Sequence, residues 1–234
     1  MNILQRFLKL FKSGPGPEFF AQQLRNPSGN FAEEVGRKMN EVNEPLYDLI
    51  FDVIEFEEND HVLEIGFGNG LFFERMFSIE NSLQIVGIDH SEEMVKEAKR
   101  KNRDLIASER LHVQLANSDE LPFADQSFDK VFCNMVIYFW NNPEPHLREI
   151  HRVLKDTGKF FTGMRTQKSM LIFPFVKYGF TLYETAEWEQ ILTQNGFKFL
   201  ETLSKLDPTI KLQSDEVRLE SCCVIAEKDE KTII

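Results

Sequence analysis

From His61 onward, short apolar runs alternate with longer stretches in which apolar residues return every third or fourth position. Short apolar runs bounded by polar turns read as strands, and the 3.6-residue stripe reads as a helix. On that basis strands are predicted near 61–66, 83–88, 111–115, 129–134, 158–163, 197–203 and 221–227, and helices near 70–78, 91–102, 143–154 and 184–195. Ser91 serves as N-cap of the second helix, and Asn195 with Gly196 ends the last. Strands alternating with crossover helices imply an α/β fold: a seven-stranded, mostly parallel sheet with helices on both faces.

Upstream of His61 the pattern is helical. One short helix is predicted over Glu18–Leu24. A longer one runs from Asn30 to about Glu55, with Phe31, Val35, Met39, Leu46, Leu49, Ile50 and Val53 at helical spacing and a break expected near Asn43–Pro45. The first twelve residues place Ile3, Leu4, Phe7, Leu8 and Phe11 on one face, with Gln5, Arg6, Lys9 and Lys12 largely opposite. Such a helix serves as a lid on its own domain, or as a peripheral membrane contact through residues 1–12. Proline and glycine in "SGPGP", residues 13–17, break any continuing helix. The expected organisation is an N-terminal helical arm or lid (1–45), a sheet domain (46–228) and a frayed tail (229–234).

Composition narrows the function. A net charge of −11 argues against nucleic acid as a partner, because affinity for a phosphate backbone comes largely from lysine and arginine. Apolar runs such as Met135–Trp140 fall far short of the roughly 20 residues a transmembrane helix needs. The three cysteines, Cys133, Cys222 and Cys223, lack metal-ligand spacing and fit a reducing, cytoplasmic setting. His146 and His151, five apart, fall on different faces of a helix, so no metal site is expected.

The chemistry concentrates in "VLEIGFGNG", residues 62–70, where a strand runs into a loop holding Gly66, Phe67, Gly68 and Gly70. In an open parallel sheet, ligands bind beyond the carboxyl ends of the strands, and glycine there lets a ligand approach the backbone. A dinucleotide site uses G-x-G-x-x-G, whose third glycine would fall at position 71, which is Leu71 here. Glu64, near the strand end, offers little to a pyrophosphate but balances a cationic ligand. Asp89, 23 residues after Gly66, ends the second strand, where a carboxylate accepts hydrogen bonds from both hydroxyls of a ribose. Nicotinamide enzymes use the same device, so Asp89 marks an adenosyl ribose in either case.

Four blocks in order, "LEIGFGNG", "VGIDHSEEMV", "LPFADQSFDKVFCNMVIYFW" and "HLREIHRVLKDTGKFF", carry a resemblance to the class I S-adenosylmethionine-dependent methyltransferases, in the broad methyltransferase domain type 11 group. The likeness covers about residues 61–163 and implies a Rossmann-like sheet, S-adenosyl-L-methionine as cofactor and S-adenosyl-L-homocysteine as product. It also implies a cofactor set of Glu64, Gly66, Phe67, Gly68, Asp89, His90, Met94, Asn117, Ser118, Asn134 and Met135. His90 and Met94 flank the adenine in that picture. Asn117 stands where the family usually has Asp facing the adenine amino group, with the Ser118 amide beside it and Asp119 two residues on as a substitute. Asn134 and Met135 lie beside the methionine part.

Tyr138, Phe139 and Trp140 follow where the reacting methyl faces its acceptor, and aromatic faces attract a sulfonium and exclude water. No triad or carboxylate pair is expected, since a sulfonium leaving group asks mainly for alignment. Tyr138 is the catalytic candidate by position, with Tyr178, Tyr183 and Arg165 as further acceptor-side polar groups. The apolar stretch "MRTQKSMLIFPFVKYGFTLY" (164–183) and the N-terminal helices would roof a pocket for a small, lipophilic acceptor. Two other functions stay open at this level: an assembly protein that binds the cofactor without transferring a group, and a nicotinamide oxidoreductase.

Overall fold

The computed structural model describes residues 16–212 and 215–229. The expected amphipathic helix over residues 1–12 and the last residues of the expected tail lie outside that range. Nine strands are described: β1 His61–Ile65, β2 Gln84–Asp89, β3 Leu111–Leu115, β4 Phe128–Asn134, β5 Leu154–Arg165, β6 Phe197–Leu206, β7 Ile210–Leu212, β8 Asp215–Val217 and β9 Glu220–Lys228. Eight helices accompany them: α1 Gly16–Arg25, α2 Ala32–Val53, α3 Phe73–Ile79, α4 Glu92–Lys101, α5 Arg103–Ala107, α6 Pro143–Val153, α7 Gln167–Met170 and α8 Thr185–Gln194.

Seven strands form the main sheet in the order β3-β2-β1-β4-β5-β9-β6. The pairs from β3 to β5 are parallel, while β9 runs antiparallel to both β5 and β6. Strand order reverses between β1 and β4, so their carboxyl ends border the crevice where such sheets bind ligands. Strand alternation divides the core. Val62, Phe132, Phe161 and Cys223 pack on one face with Leu46 and Ile50 of α2 and Phe73 of α3. Leu63, Val131, Phe160 and Cys222 pack on the other with Leu147 and Ile150 of α6 and Trp188 of α8. The side-chain period of two sends each neighbouring pair to opposite faces.

The expected break at Asn43–Pro45 is absent, and α2 continues through Pro45. Proline there forfeits one helical hydrogen bond. Burial of Leu46 and Ile50 immediately beyond it, both at 0% exposure, offsets that loss. The boundary expected at residue 45 therefore falls inside one helix, which the arm and the sheet share. β5 starts at Leu154, earlier than expected, because Leu154 pairs with Phe128 ahead of an irregularity in β4. The β7–β8 ribbon was not expected, because strands of 3 residues each are too short to give a periodic signal.

Candidate cofactor site

Gly66, Gly68 and Gly70 all have positive φ, at 76°, 59° and 69°, a region costly for side-chain-bearing residues. Their surroundings differ. A Cβ on Gly66 would lie 2.4 Å from Val136 Cγ2, and one on Gly70 would lie 2.7 Å from Ala98 Cβ, so these two let the loop pack against the protein. A Cβ on Gly68 would meet nothing within 4 Å and would project into open space. Gly68 is the glycine that keeps a cradle clear.

That space belongs to a cavity of about 320 Å³ bordered by Gly66, Gly68, Asp89, His90, Met94, Asn117, Ser118, Asn134 and Met135. Nine of the residues expected from the resemblance thus come together from the ends of β1, β2, β3 and β4 and the first turn of α4. Asp89 Oδ2 accepts from the Gly68 amide at 2.9 Å and Oδ1 from the Ser91 amide at 2.9 Å. Each carboxylate oxygen can accept about two hydrogen bonds, so the carboxylate keeps acceptor capacity beyond these amides. Burial raises the Asp89 carboxyl above its ordinary value, while the amides of Ser91 and Gly68 and the neighbouring His90 act in the opposite direction. Ser91 Oγ caps α4 by accepting from Met94 N at 3.3 Å and donates to the Pro27 carbonyl at 2.6 Å, which fastens the segment after α1 to the cavity.

Asn134 is 5% exposed, and neither its Oδ1 nor its Nδ2 has a partner. A buried primary amide left without hydrogen bonds is costly, and at a cavity wall it reserves both functions for a ligand. Met135 adopts φ +62°, uncommon for a side-chain-bearing residue, with its amide held by the Gly163 carbonyl at 2.9 Å. The acceptor capacity of Asp89, the clear cradle at Gly68 and the unpartnered amide of Asn134 together fit an adenosyl ligand carrying an amino-acid tail.

Three expected residues fall elsewhere. Glu64 shares the face of β1 occupied by Val62, is 1% exposed, and accepts a hydrogen bond from the Tyr47 hydroxyl at 2.6 Å instead of bordering the cavity. Burial pushes its carboxyl up to about 8. Phe67 turns under the loop against Phe73 and the space left by Gly87. Tyr138 is fully buried, and its hydroxyl donates to the Arg165 carbonyl at 2.7 Å and accepts from the Arg165 amide at 2.6 Å. It pins the end of β5 and does not border the cavity, which removes it as a catalytic group. Phe139 and Trp140 do line the cavity.

The cavity wall also contains Leu24, Arg25, Pro27 and Met39, which long-range packing brings to the site without any local sequence signal. Arg25 Nη2 donates to the Gly179 carbonyl at 2.6 Å and its guanidinium lies 5.7 Å from the Phe139 ring centre, so α1 is tied to the segment after α7. His146 stacks on Trp140 with ring centres 4.6 Å apart and places Nδ1 2.8 Å from Ser118 Oγ. Burial lowers its pKa, opposed by Asp119. Beside the main cavity lies an apolar chamber of about 50 Å³ that shares Leu24, Met39, Met135 and Phe139 with it and is closed by Phe173, Phe175 and Phe180. Among the described residues, no group of three or more His, Cys, Asp or Glu is placed to hold a metal ion, and no helix is long and apolar enough to cross a membrane.

Residues 63–162 match the family described as Methyltransferase domain. The Bacillus subtilis protein YrhH, named as a methyltransferase, is 33% identical over 119 residues, which is 50% of this chain and 64% of that protein. The chain thus spans just under two thirds of that relative's length. A demethylmenaquinone methyltransferase of Symbiobacterium thermophilum is 27% identical over 175 residues, 72% of this chain and 68% of that one. In fold, the chain is similar to a chain from the complex of the Haloferax volcanii Trm112 methyltransferase activator with a methyltransferase: TM-score 0.73 at 20% identity, covering 90% of this chain and 98% of that one. S-adenosylmethionine is the cofactor that the matched family implies, and the cavity fits it. The glycine loop, the seven-stranded sheet and the match across residues 63–162 mark that stretch as a methyltransferase domain and support a class I S-adenosylmethionine-dependent methyltransferase.

Proposed function

We propose that this chain transfers the methyl group of S-adenosylmethionine to a small, lipophilic acceptor by in-line displacement. The observation that carries the reading is the apolar chamber that adjoins the cofactor cavity and shares Met135 and Phe139 with it. Asp89 would hold the ribose hydroxyls. His90 and Met94 would flank the adenine, with Asn117 and the Ser118 amide at its edge. Asn134 and Met135 would meet the amino-acid end, and Gly66 and Gly68 would leave room for the cofactor against the loop.

The bound cofactor supplies a methyl already activated by its sulfonium leaving group. The chain's own task is alignment, which in favourable cases removes roughly 7–11 kcal/mol of barrier. Phe139 from the strand end and Phe173, Phe175 and Phe180 from the segment after α7 exclude water and confine the acceptor. With the Tyr138 hydroxyl engaged by the Arg165 carbonyl and amide, an acceptor that needs deprotonation would reach the chamber already ionised. The 27% identity to a demethylmenaquinone methyltransferase supports a small-molecule acceptor.

Incubation with methyl-labelled S-adenosylmethionine and pools of small aromatic acceptors tests the reading. Label in a small product, with stoichiometric S-adenosylhomocysteine, is the expected outcome. Tight cofactor binding with no labelled product from any pool would favour a non-catalytic assembly role.

A further inference from the structure

Arg165, the last residue of β5, is 1% exposed. Its main-chain N–H and C=O are both held by the Tyr138 hydroxyl. Its guanidinium is anchored through Nη2 alone, which donates to the Val42 carbonyl at 2.8 Å and to Asp207 Oδ2 at 2.8 Å. Asp207 is fixed in turn by Ser221, whose hydroxyl donates to Oδ1 at 2.7 Å. Nε and Nη1 are buried and have no partner.

A guanidinium offers five N–H donors in a rigid plane. Two are used at Nη2, so three remain, all sealed from water. Buried polar groups are nearly always hydrogen-bonded, and a desolvated charged donor left alone is among the costlier exceptions. The residue that carries these donors forms part of the wall of the apolar chamber together with Met170, Phe173, Phe175 and Phe180, with Asn43 as the other polar side chain there. Because Asp207 already balances the charge, the chamber as a whole is close to neutral. Donors in an apolar, nearly neutral pocket select an oxygen lone pair on a ring and disfavour a multiply charged group such as a phosphate, whose remaining charges would face the phenylalanines.

We propose that Arg165 is the specificity-determining residue of the acceptor chamber: it hydrogen-bonds an oxygen on a small apolar ring and thereby orients that ring toward the cofactor cavity across Met135 and Phe139. This deepens the methyltransferase reading above and rests on it for the identity of the neighbouring cavity. It admits a carbonyl, a phenolic oxygen or a carboxylate on the ring and disfavours the plain hydrocarbon.

The test uses the full chain, with and without saturating S-adenosylhomocysteine, and four probes: toluene, phenol, benzaldehyde and benzoate, with binding read by ligand-observed nuclear magnetic resonance. At least one oxygen-bearing probe is expected to bind about tenfold or more tighter than toluene, the range for a hydrogen bond to a charged donor. Benzoate against phenol and benzaldehyde tells an ionised oxygen from a neutral one. Arg165→Lys keeps a cation beside Asp207 but withdraws the planar fork. It is expected to reduce that preference to about twofold or less while the affinity for S-adenosylhomocysteine stays unchanged. Should that variant not fold, the Arg165 Nε–H resonance of the wild-type chain gives the same answer by shifting with the oxygen-bearing probes and not with toluene. Equal binding of all four probes, no binding of any, or a preference that survives in Arg165→Lys would overturn the proposal. An oxygen preference in a chain that does not bind S-adenosylhomocysteine would leave Arg165 in its role and sink the methyltransferase reading instead.

Discussion

At the scale of single residues, the site depends on which atoms are already engaged and which are held free. Asp89 accepts from the amides of Gly68 and Ser91, so it shapes the loop and still has acceptor capacity for a ribose. Asp89→Ala is expected to cost about 1.5–3 kcal/mol of S-adenosylhomocysteine binding, or roughly ten- to a hundredfold in affinity. Unchanged affinity in a folded variant would remove Asp89 from the cofactor contact. The glycines divide by what a methyl would meet. Gly66→Ala drives Cβ into Val136, whereas Gly68→Ala fills the cradle and carries mainly the backbone cost of a left-handed residue, about 1–2 kcal/mol. Melting temperatures should therefore fall further for Gly66→Ala, with cofactor binding weakened in both; equal melting temperatures would contradict the distinction between packing and cradle glycines.

At the scale of elements, two hydroxyl groups join parts of the chain that are distant in sequence, and each corrects a role expected from position. The Tyr47 ring stacks on Phe72 with centres 3.8 Å apart, and its hydroxyl donates to Glu64, which couples α2 to β1 and the loop beyond it. Burial holds the Glu64 carboxyl near 8 against an ordinary 4.5, partly offset by the Tyr47 hydrogen bond. The folded chain keeps a proton there that the unfolded chain releases. The stability this proton confers is fully present below about 4.5 and is lost as pH rises to about 8. Glu64→Gln keeps an oxygen for Tyr47 and removes the titration. Its stability relative to wild type, from denaturant midpoints, should increase between pH 5 and pH 8 by on the order of 1–4 kcal/mol. A gap that stays constant with pH would mean that Glu64 is ionised throughout. Tyr138 binds β5 in a similar way. Tyr138→Phe leaves a buried amide and carbonyl of Arg165 without their partner and should cost about 1–3 kcal/mol of stability, while methyl transfer per folded molecule persists. Loss of turnover with stability intact would return Tyr138 to catalysis.

At the scale of the whole molecule, the parts legible in the sequence are those set by local periodicity and turn chemistry. The parallel strands, the helix capped by Ser91 and the glycine loop were readable because each is encoded within a few residues. The continuity of α2 through Pro45 was not, because burial of Leu46 and Ile50 against the sheet overrides the local preference. Nor were Arg25, Pro27, Met39 and His146, which reach the cavity through contacts over long sequence separations such as Ser91 to Pro27 and Arg25 to Gly179. Glu64 was misassigned for a related reason: strand alternation gives the face a side chain occupies, and Tyr47 on the opposing helix decides what it meets. The arm and the sheet thus enclose the cofactor cavity and the segment after α7 walls the chamber beside it, an arrangement that neither the glycine loop nor the strand pattern describes alone. The most direct measurement is calorimetric titration of one protein batch with S-adenosylmethionine, S-adenosylhomocysteine and NAD. Binding of both sulfur compounds and not of NAD is the expected result; binding of NAD alone would contradict the assignment of this cavity and return the chain to the oxidoreductases.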